Sequence, residues 1–561
     1  RRYREKKRER DFLDYSDLEH LAIELFCRPD GSPTPVAKEV SARFGEIMID
    51  EYQDINEVQD SLFRAVSQDE KNLFMVGDVK QSIYGFRRAM PEIFLRRRKS
   101  FPLYDREQDS YPASIVLDRN FRSRREVTES VNFVFSQLMS REAGDVDYTG
   151  EERLVCAAPY EDKAGCETEV LLIDRQGVPA ETAEAAAIGK RIREMVEGGF
   201  PITAKEGERP ACWGDFCILL RSANKYAHRY ARELAALGVP ARAASSGGFF
   251  AAKEVQAVLS LLRVIDNPNQ DIPLLAVLMS PLYGFTPDDL ARLREGDRKS
   301  SLYISLLRGA KENALCRRVL EEVGELRSLC ATMPADAFLT LLYSRTGYPD
   351  MVLAMEEGRS RLENLRLLQQ YAKEYEGSGY HGLSGFVRFL DRLREGGADL
   401  QAAQPQQEDG PAVQIMSVHR AKGLEFPVCI VAGCGRSFVT DQREDVLLHP
   451  VLGLGVKLKD AARSARYTTT AREAIALESA RSSAAEELRV LYVAMTRAKE
   501  KLILAGSGEK MEEMVGKLAM RAAGAGVSPY LVRKAKNALE WLVLCALRHP
   551  DGAAFRAFGV T

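Results

Sequence analysis

Two short apolar runs that end in acidic residues constrain the fold of this chain more than any other feature. Residues 47–49 (IMI) lead directly into Asp50 and Glu51, and residues 73–76 (LFMV) are followed after one glycine by Asp78. A continuous apolar run is typical of a strand buried on both faces of a parallel sheet. Ligands of such sheets bind at the carboxyl ends of the strands. The sequence therefore predicts an α/β fold with these acids at the edge where a site forms.

The hydrophobic spacing changes along the chain of 561 residues, which is longer than one hydrophobic core usually serves. Strand-like runs dominate at first, give way to apolar residues at helical spacing, and return after a polar, Pro-containing linker at 401–411. This order predicts an all-helical insertion within a second α/β domain. The expected segments are the C-terminal part of a first α/β lobe (1–125), the first segment of a second lobe (126–252), the helical insertion (253–405), the second segment of the second lobe (406–510) and a helical connector (511–561).

Composition excludes several classes of protein. No apolar run approaches the length needed to cross a bilayer. We expect no secretory signal, because no short apolar segment with a cleavage site follows Arg1. The ten cysteines are scattered without a CxxC pair, which argues against a structural zinc site or an iron–sulfur cluster. We expect reduced cysteines and a cytoplasmic protein without a membrane segment.

The net charge of −2 hides two basic clusters. Residues 1–10 carry seven Arg or Lys side chains, and residues 87–99 carry a second group. Local basic patches can bind phosphates even on a nearly neutral chain. A solvated helix face explains either cluster equally well.

The segment IMIDEYQDIN (47–56) places two adjacent carboxylates at the tip of a predicted strand. ATP hydrolysis needs one acid to hold Mg²⁺ and another to position the attacking water, and Asp50 and Glu51 suit these two tasks. The alternative is an ordinary acidic pair on the surface.

The segment VGDVKQSIYGFRRA (76–89) combines an amide, two aromatic rings and arginines in one loop. Gln81 offers an amide that can sense a γ-phosphate or water. Tyr84 and Phe86, next to Arg87, form a pattern that stacks on single-stranded bases. The alternative is that both rings belong to the core.

Three further segments carry residues suited to phosphate chemistry. In NFRS (120–123), Arg122 is a candidate arginine finger, and Arg497 in EELRVLYVAMTRAKEKLIL (486–504) is a second. In SVHRAKGLEFPVCIVAG (417–433) we expect a loop in which Gly423 permits close approach of phosphate and Glu425 bonds a ribose hydroxyl. Each segment alone also fits a surface arginine, a dipole-capping arginine or a plain strand–loop–strand element.

The ordered set of these motifs resembles that of superfamily-one DNA helicases, the group that includes UvrD, PcrA, RecB and AddA. The resemblance covers nearly the whole chain, and residues 80–89, 249–268 and 541–550 are most similar to AddA-type helicase–nuclease subunits. It implies two RecA-like lobes, the first incomplete here, with ATP between them and a helical insertion in the second.

The resemblance also implies roles for single residues. Asp50 would bind Mg²⁺, Glu51 would activate water, Gln81 would couple the γ-phosphate to DNA, and Arg122 and Arg497 would contact the γ-phosphate. The other implied contacts are Gly423, Glu425 and Phe121 with the nucleotide, and Tyr84, Phe86, Arg87 and His419 with DNA.

The implied activity is ATP-dependent 3′-to-5′ DNA unwinding, in a helicase–nuclease that processes double-strand breaks for recombinational repair. Its cofactors would be ATP and Mg²⁺, and its partners would be single- and double-stranded DNA and an AddB-like subunit in a heterodimer. The alternatives are a UvrD-type repair helicase and a DNA-binding scaffold subunit that has lost ATPase function.

Three features depart from the family pattern. No GxxxxGK[ST] motif occurs in the 561 residues, so we expect that phosphate-binding loop upstream of residue 1 and do not expect this stretch to hydrolyse ATP efficiently by itself. Nothing after Trp541 resembles the metal-binding cluster of the AddA nuclease domain. Phe121 stands where many relatives have Tyr, which preserves stacking on adenine but removes a hydroxyl contact.

Overall fold

The computed structural model describes most of the chain. The described residues are 2–9, 11–204, 207–243, 249–295, 299–355, 358–395, 410–438, 444–460, 462–522, 527–549 and 552. Residues 401–409 of the predicted linker, and Arg1 and Arg10 of the basic N-terminal run, lie outside them. The described chain forms two compact units, one of residues 1–221 with 417–561 and the other of residues 222–416.

Strands occur in both units, mostly in the first. In chain order they are β1 (Ile47–Ile49), β2 (Leu73–Met75), β3 (Arg119–Asn120), β4 (Val155–Cys156), β5 (Glu169–Asp174), β6 (Pro201–Ala204), β7 (Gly207–Pro210), β8 (Phe216–Leu220), β9 (Ala241–Ala243), β10 (Val413–Ser417), β11 (Phe426–Val431), β12 (Val446–His449), β13 (Gly453–Asp460), β14 (Ala465–Thr468) and β15 (Ala498–Gly508).

Helices connect these strands and form most of the second unit. In chain order they are α1 (Arg2–Arg8), α2 (Tyr15–Phe26), α3 (Pro35–Ser41), α4 (Glu57–Ala65), α5 (Pro91–Ser100), α6 (Arg125–Leu138), α7 (Arg141–Gly144), α8 (Ala180–Glu197), α9 (Ala223–Ala236), α10 (Lys253–Asp266), α11 (Asp271–Leu278), α12 (Pro287–Leu293), α13 (Leu302–Gly309), α14 (Ala314–Cys330), α15 (Ala335–Thr346), α16 (Tyr348–Leu353), α17 (Gly358–Gly377), α18 (Leu383–Glu395), α19 (Val418–Ala421), α20 (Thr470–Met495), α21 (Met511–Arg521), α22 (Pro529–Lys534) and α23 (Ala538–Arg548).

The described part of the first unit contains three parallel sheets, one of which pairs β3 with β4. Strands β1 and β2 pair in parallel, with Ile49 opposite Met75. The strands β5, β15, β11 and β8 lie side by side in that order and are all parallel. Their central members are buried along nearly their whole length, because helices cover both faces of such a sheet. The predicted α/β class is therefore confirmed.

The burial expected for the first two strands is wrong on one face. Met48 is 70% exposed and Phe74 is 56% exposed, while Ile49 is buried. The side chains of a strand alternate between the faces of its sheet, and no described element covers the face that carries Met48 and Phe74. The other face packs on Tyr52, Ile55 and further residues of the first unit.

The second unit is mainly helical, as the spacing predicted. Among the described residues between 249 and 395 there is no strand, and helices α10 to α18 enclose one apolar core. Glu254 is buried in this unit, where it accepts hydrogen bonds from Arg361 (2.8 Å) and Asn364 (2.7 Å). The strands β9 and β10 of this unit pair in parallel.

Two details of the first unit differ from the sequence-based expectation. Residues 418–421, expected in a loop, form the short helix α19, because the Ser417 hydroxyl accepts a hydrogen bond from the backbone N–H of Arg420 and caps its N-terminus. The antiparallel strands β12, β13 and β14 were not predicted. They pack against α20, where Gly455 lies so close to the backbone of Arg472 that a Cβ would come within 2.6 Å of its Cα.

Membrane-spanning helices and disulfide bonds were both searched for in the residues that the structure describes. None of the helices in the described ranges is long and apolar enough to span a bilayer. All ten cysteines are free thiols.

Candidate functional site

The strand tips of β1 and β2 carry the predicted acidic groups side by side. Asp50 and Glu51 follow β1 and are exposed, and Asp78 follows β2 after Gly77. Glu51 adopts a left-handed backbone conformation with φ of +52°, which is strained for a side chain of this kind. Strain of this sort is concentrated at functional sites, so the observation favours a role for this turn.

The buried amide of Gln53 ties the two strand tips together. Its Nε2 donates to Glu51 Oε2, and its Oε1 accepts from the backbone N–H of Asp78 at 2.9 Å. Gly77 is required at this point, because a Cβ there would lie 2.5 Å from Gln53 Oε1. Gln53 was not predicted as a site residue, although it stands in the same motif as Glu51.

Lys422 joins the acids of β1 from a distant part of the chain. Its Nζ lies 3.1 Å from Glu51 Oε2 and also contacts Asp54 Oδ2, and its side chain is only 5% exposed. Burial raises the pKa of Asp54 above its ordinary value although Lys422 opposes the change. The predicted loop of residues 417–425 therefore meets the acidic turn through a residue that had not been given a role.

Gln81 faces Asp78 rather than the acids of β1. Its Nε2 donates to Asp78 Oδ2 at 3.0 Å. The neighbouring Lys80 is buried, lies 2.8 Å from Asp78 Oδ1 and also binds Glu152. Burial alone would lower the pKa of Lys80, but the two carboxylates raise it. This buried ion pair was not predicted, because Glu152 lies 72 positions away.

Arg122 and Glu425 form an ion pair at the surface of the first unit. Arg122 Nε donates to Glu425 Oε2 at 2.8 Å, and Lys499 Nζ lies 3.1 Å from Glu425 Oε1. The hydrogen bond from Lys499, followed by that from Arg122, lowers the pKa of Glu425 below its ordinary value, and burial opposes the change. The loop of Arg122 is set by Asn120, whose side-chain oxygen accepts from the backbone N–H of Arg122 at 2.9 Å.

Arg497 is buried at the C-terminal end of α20, with 1% exposure. Its guanidinium donates to the carbonyls of Val493 (3.0 Å) and Leu424 (3.2 Å) and to the Thr496 hydroxyl (3.0 Å). Burial, together with the nearby Arg122, lowers its pKa to about 10. No carboxylate of the described residues lies within ion-pair distance of it. A charged group held in this way suits an anionic ligand, and its hydrogen bond to the Val493 carbonyl also caps α20.

The predicted base-stacking residues form one aromatic cluster. Phe86 is 66% exposed, and its ring centroid lies 5.5 Å from that of His419 and 5.9 Å from that of the half-buried Tyr84. The guanidinium of Arg87 lies 5.3 Å from the Tyr84 ring centroid. Burial, reinforced by Arg221, lowers the pKa of His419 to about 4, so this imidazole is neutral at pH 7.

Arg489 of α20 connects the motif of residues 76–89 to another part of the first unit. Its Nε donates to the Ser82 carbonyl at 2.8 Å, and its Nη1 lies 2.7 Å from Asp145 Oδ2. Arg489 was not predicted as a site residue. The available signal in the sequence was that Arg489 lies among apolar residues at helical spacing. A charge on such a buried face needs a partner, which would have indicated an ion pair.

Gly423 and Phe121 are the remaining candidates for contact with a nucleotide. Gly423 has φ of +83° and open space where a Cβ would stand, which permits close approach of a ligand to its backbone. Phe121 is 69% exposed beside Arg122, so its ring face is free to stack. Asp50 receives one hydrogen bond, from the backbone N–H of Glu51 at 2.9 Å.

These groups have the chemistry that a nucleoside triphosphate with Mg²⁺ requires. Exposed carboxylates suit a hydrated Mg²⁺ ion, which keeps several waters. The guanidinium groups of Arg122 and Arg497 are of the kind that binds phosphate oxygens, and the exposed ring of Phe121 is of the kind that stacks on a base.

Comparison with known families decides the assignment of the chain. The model of the UvrD-like helicase C-terminal domain matches residues 115–508, and that of the UvrD/REP helicase N-terminal domain matches residues 1–102. The chain belongs to the UvrD-like helicase family. The motifs of residues 47–56 and 76–89 thus fall in the N-terminal domain of the family, and those of residues 417–433 and 486–504 fall in its C-terminal domain.

Curated members of this family align with the whole chain. Proteins named as ATP-dependent helicase/nuclease subunits of type A are 37% identical in Thermoanaerobacter sp. (strain X514), 38% in Acetivibrio thermocellus and 35% in Clostridium perfringens. The matches cover 100%, 99% and 100% of this chain and 48% of each relative. The chain therefore spans about half the length of the curated relatives it matches. The AddA-type resemblance expected from the motifs is confirmed.

Proposed function

We propose that this chain is the motor segment of an ATP-dependent DNA helicase that moves 3′ to 5′ within a helicase–nuclease acting on double-strand breaks. The observation that carries the proposal is the meeting of Glu51 and Lys422 at 3.1 Å. One residue comes from the motif of the N-terminal helicase domain and the other from a motif of the C-terminal domain. A motor of this kind needs groups from two domains at one site, so that a nucleotide changes how they contact each other.

The acids at the tip of β1 divide the tasks of hydrolysis. Asp50 holds Mg²⁺, because its exposed carboxylate has a free oxygen for a metal that keeps most of its waters. Glu51 accepts the proton of the attacking water and is held in place by Gln53. ATP, when bound with Mg²⁺, supplies the free energy for movement.

The cationic and backbone groups hold the nucleotide. Arg122 and Arg497 stabilise the charge that develops on the transferred phosphate, and Gln81 positions the γ-phosphate relative to DNA. Gly423 allows close approach of the phosphates to its backbone, Glu425 contacts a ribose hydroxyl, and Phe121 stacks on adenine.

The proposed partners are DNA and a second protein chain. Tyr84, Phe86, Arg87 and His419 contact single-stranded bases, and duplex DNA is the substrate for unwinding. The relatives are named as one type of subunit within a helicase/nuclease, which supports a heterodimer with an AddB-like subunit. We also propose the five segments 1–125, 126–252, 253–405, 406–510 and 511–561 as the domain organisation.

ATP hydrolysis by the full-length protein tests the proposal, with the Glu51→Gln variant beside it. We expect single-stranded DNA to stimulate hydrolysis and the variant to lose about 1000-fold or more in kcat, because the variant lacks the proton acceptor. Duplexes with a 3′ or a 5′ single-stranded tail then report the direction of movement. DNA binding without stimulated hydrolysis in the unmodified protein would support a scaffold subunit instead. Unwinding without any nuclease activity in the complex would favour a UvrD-type repair helicase.

A further inference from the structure

Lys422 is shared between the acidic turn and the aromatic cluster. Its ammonium group contacts Glu51 at 3.1 Å and Asp54, and it also lies 5.1 Å from the ring centroid of Tyr84. An ammonium over a ring face is attracted to it. One side chain therefore touches both the proposed water-activating acid and a proposed DNA-stacking ring.

Tyr84 is tied to the same loop by a second contact. Its hydroxyl donates to the His419 carbonyl at 3.3 Å, and the backbone N–H of Lys422 donates to that carbonyl at 3.4 Å. Displacement of Tyr84 by a stacked base would therefore disturb the loop that carries Lys422. The acids Glu51 and Asp54 lie on the other side of this contact, in the turn after β1.

Burial separates Lys422 from direct contact with DNA. Its side chain is 5% exposed, whereas the neighbouring Phe86 is 66% exposed. The positive charge is matched by two carboxylates, so it adds little to the attraction of the surface for phosphates. Its effect on Glu51 is direct, because the ion pair holds one carboxylate oxygen of Glu51 3.1 Å from the ammonium group.

We propose that Lys422 is a positioning residue that restrains Glu51 in the absence of DNA and releases it when Tyr84 stacks on a base. This inference rests on the proposed function, because it assigns the regulation of the same site. The ion pair keeps basal hydrolysis low, and single-stranded DNA raises the rate by weakening that ion pair.

Thermodynamic linkage makes the proposal testable without a nucleotide. If DNA weakens the contact of Lys422 with Glu51, removal of the contact must strengthen DNA binding by the same factor. The expected sign is the opposite of a simple charge effect, since loss of a lysine normally weakens binding to nucleic acid.

The first measurement is the Kd for single-stranded DNA without nucleotide, in full-length protein that carries Lys422→Met. We expect binding about fivefold tighter than in the unmodified protein. Glu51→Gln should give a similar gain, and the double variant should gain no more than either single one, because both remove the same contact. Lys517→Met is the matched control, since it removes the exposed ion pair with Glu513 (2.6 Å) and should leave the Kd unchanged. Weaker or unchanged binding by Lys422→Met would overturn the proposal.

The second measurement compares ATP hydrolysis with and without single-stranded DNA. Lys422→Met should raise the basal kcat about fivefold and bring the ratio of stimulated to basal rates close to one, while Lys422→Arg should retain the ratio. An equal fall of both rates in Lys422→Met, with the ratio kept, would reduce Lys422 to a structural role and reject the proposal. Unchanged hydrolysis in Glu51→Gln would reject the proposed function instead, and the DNA-binding cycle would still decide the role of Lys422.

Discussion

Arg122 and Glu425 form an ion pair of 2.8 Å although 303 positions separate them in the chain. The pair joins a residue of the NFRS motif to one of the motif that begins at Ser417. Arg122 keeps 36% and Glu425 keeps 44% of its side chain exposed, so both remain accessible to a ligand. A pair this exposed contributes about 1 kcal/mol or less to stability, and we expect its main role to be in catalysis.

Replacement of Arg122 by Ala should separate catalysis from stability. We expect kcat for DNA-stimulated ATP hydrolysis to fall about 1000-fold, because the charge on the transferred phosphate loses a cation. The melting temperature should change by no more than a few degrees, because the ion pair is largely exposed. Arg345→Ala, which removes a similar exposed ion pair with Glu325 (2.7 Å), is the control for both measurements. A small change in kcat beside a large loss of thermal stability would contradict this assignment.

Replacement of Arg497 by Ala should lower stability as well as activity. The guanidinium makes three hydrogen bonds in a buried position, to two carbonyls and one hydroxyl. Their loss should cost about 2–4 kcal/mol, because the carbonyls of Val493 and Leu424 each lose a donor in a buried position. Thermal denaturation followed by circular dichroism measures the effect, with Arg122→Ala as the variant that should melt normally. A melting temperature equal to that of the unmodified protein would show that the buried contacts contribute little.

Replacement of Phe86 by Ala should weaken binding of single-stranded DNA without affecting the fold. The ring is 66% exposed, so its removal leaves no cavity. Loss of one stacked base should cost about 1–3 kcal/mol of binding free energy. Fluorescence anisotropy with a labelled oligonucleotide gives the Kd, and Tyr530→Ala is the control because Tyr530 is 61% exposed and outside the aromatic cluster. Equal affinities for Phe86→Ala and Tyr530→Ala would remove Phe86 from the DNA-binding surface.

The stability of the protein should fall between pH 6.5 and pH 4 in part because of His419. Burial, followed by Arg221, depresses its pKa from 6.5 to about 4 in the folded protein. The unfolded chain therefore takes up a proton first as the pH falls, so the stabilising contribution is complete above pH 6.5 and is lost through this window. After allowance for solvent screening the loss is about 2 kcal/mol.

Melting temperatures measured from pH 4.5 to pH 7.5 check this dependence. His419→Gln should show a shallower decline than the unmodified protein below pH 6.5, since glutamine does not titrate. Above pH 7 the two curves should run parallel. Identical slopes across the acidic range would contradict the prediction, because they would mean that the pKa of His419 is the same in the folded and the unfolded protein.

The sequence was sufficient to predict the local elements that carry the candidate site. The run before Asp50 forms β1 and the run before Asp78 forms β2, as expected. These predictions depend on periodicity and on the polar residues that end each strand, which are local properties. The order of the motifs also predicted the family, because their succession along the chain is itself a sequence property.

The partners of charged residues were not predictable in the same way. Lys422 contacts Asp54 across 368 positions, Arg489 approaches Asp145 across 344, and Lys80 binds Glu152 across 72. In the sequence, Lys422 and Lys80 stand in patterns that are typical of solvated charges. Their burial follows from the packing of elements that are far apart in the chain, and a buried charge needs a partner.

The sequence by itself determined where β1 and β2 lie and which acids stand at the strand tips. The physical reason is that hydrophobic periodicity, and the polar residues that end each strand, are properties of a few neighbouring positions. Only the tertiary structure decided that Lys422 contacts Glu51, that Arg497 is buried while Arg122 is exposed, and that Phe86 lies at the surface. These properties depend on which elements pack together, because burial and charge pairing are set by neighbours in space and not by neighbours in sequence.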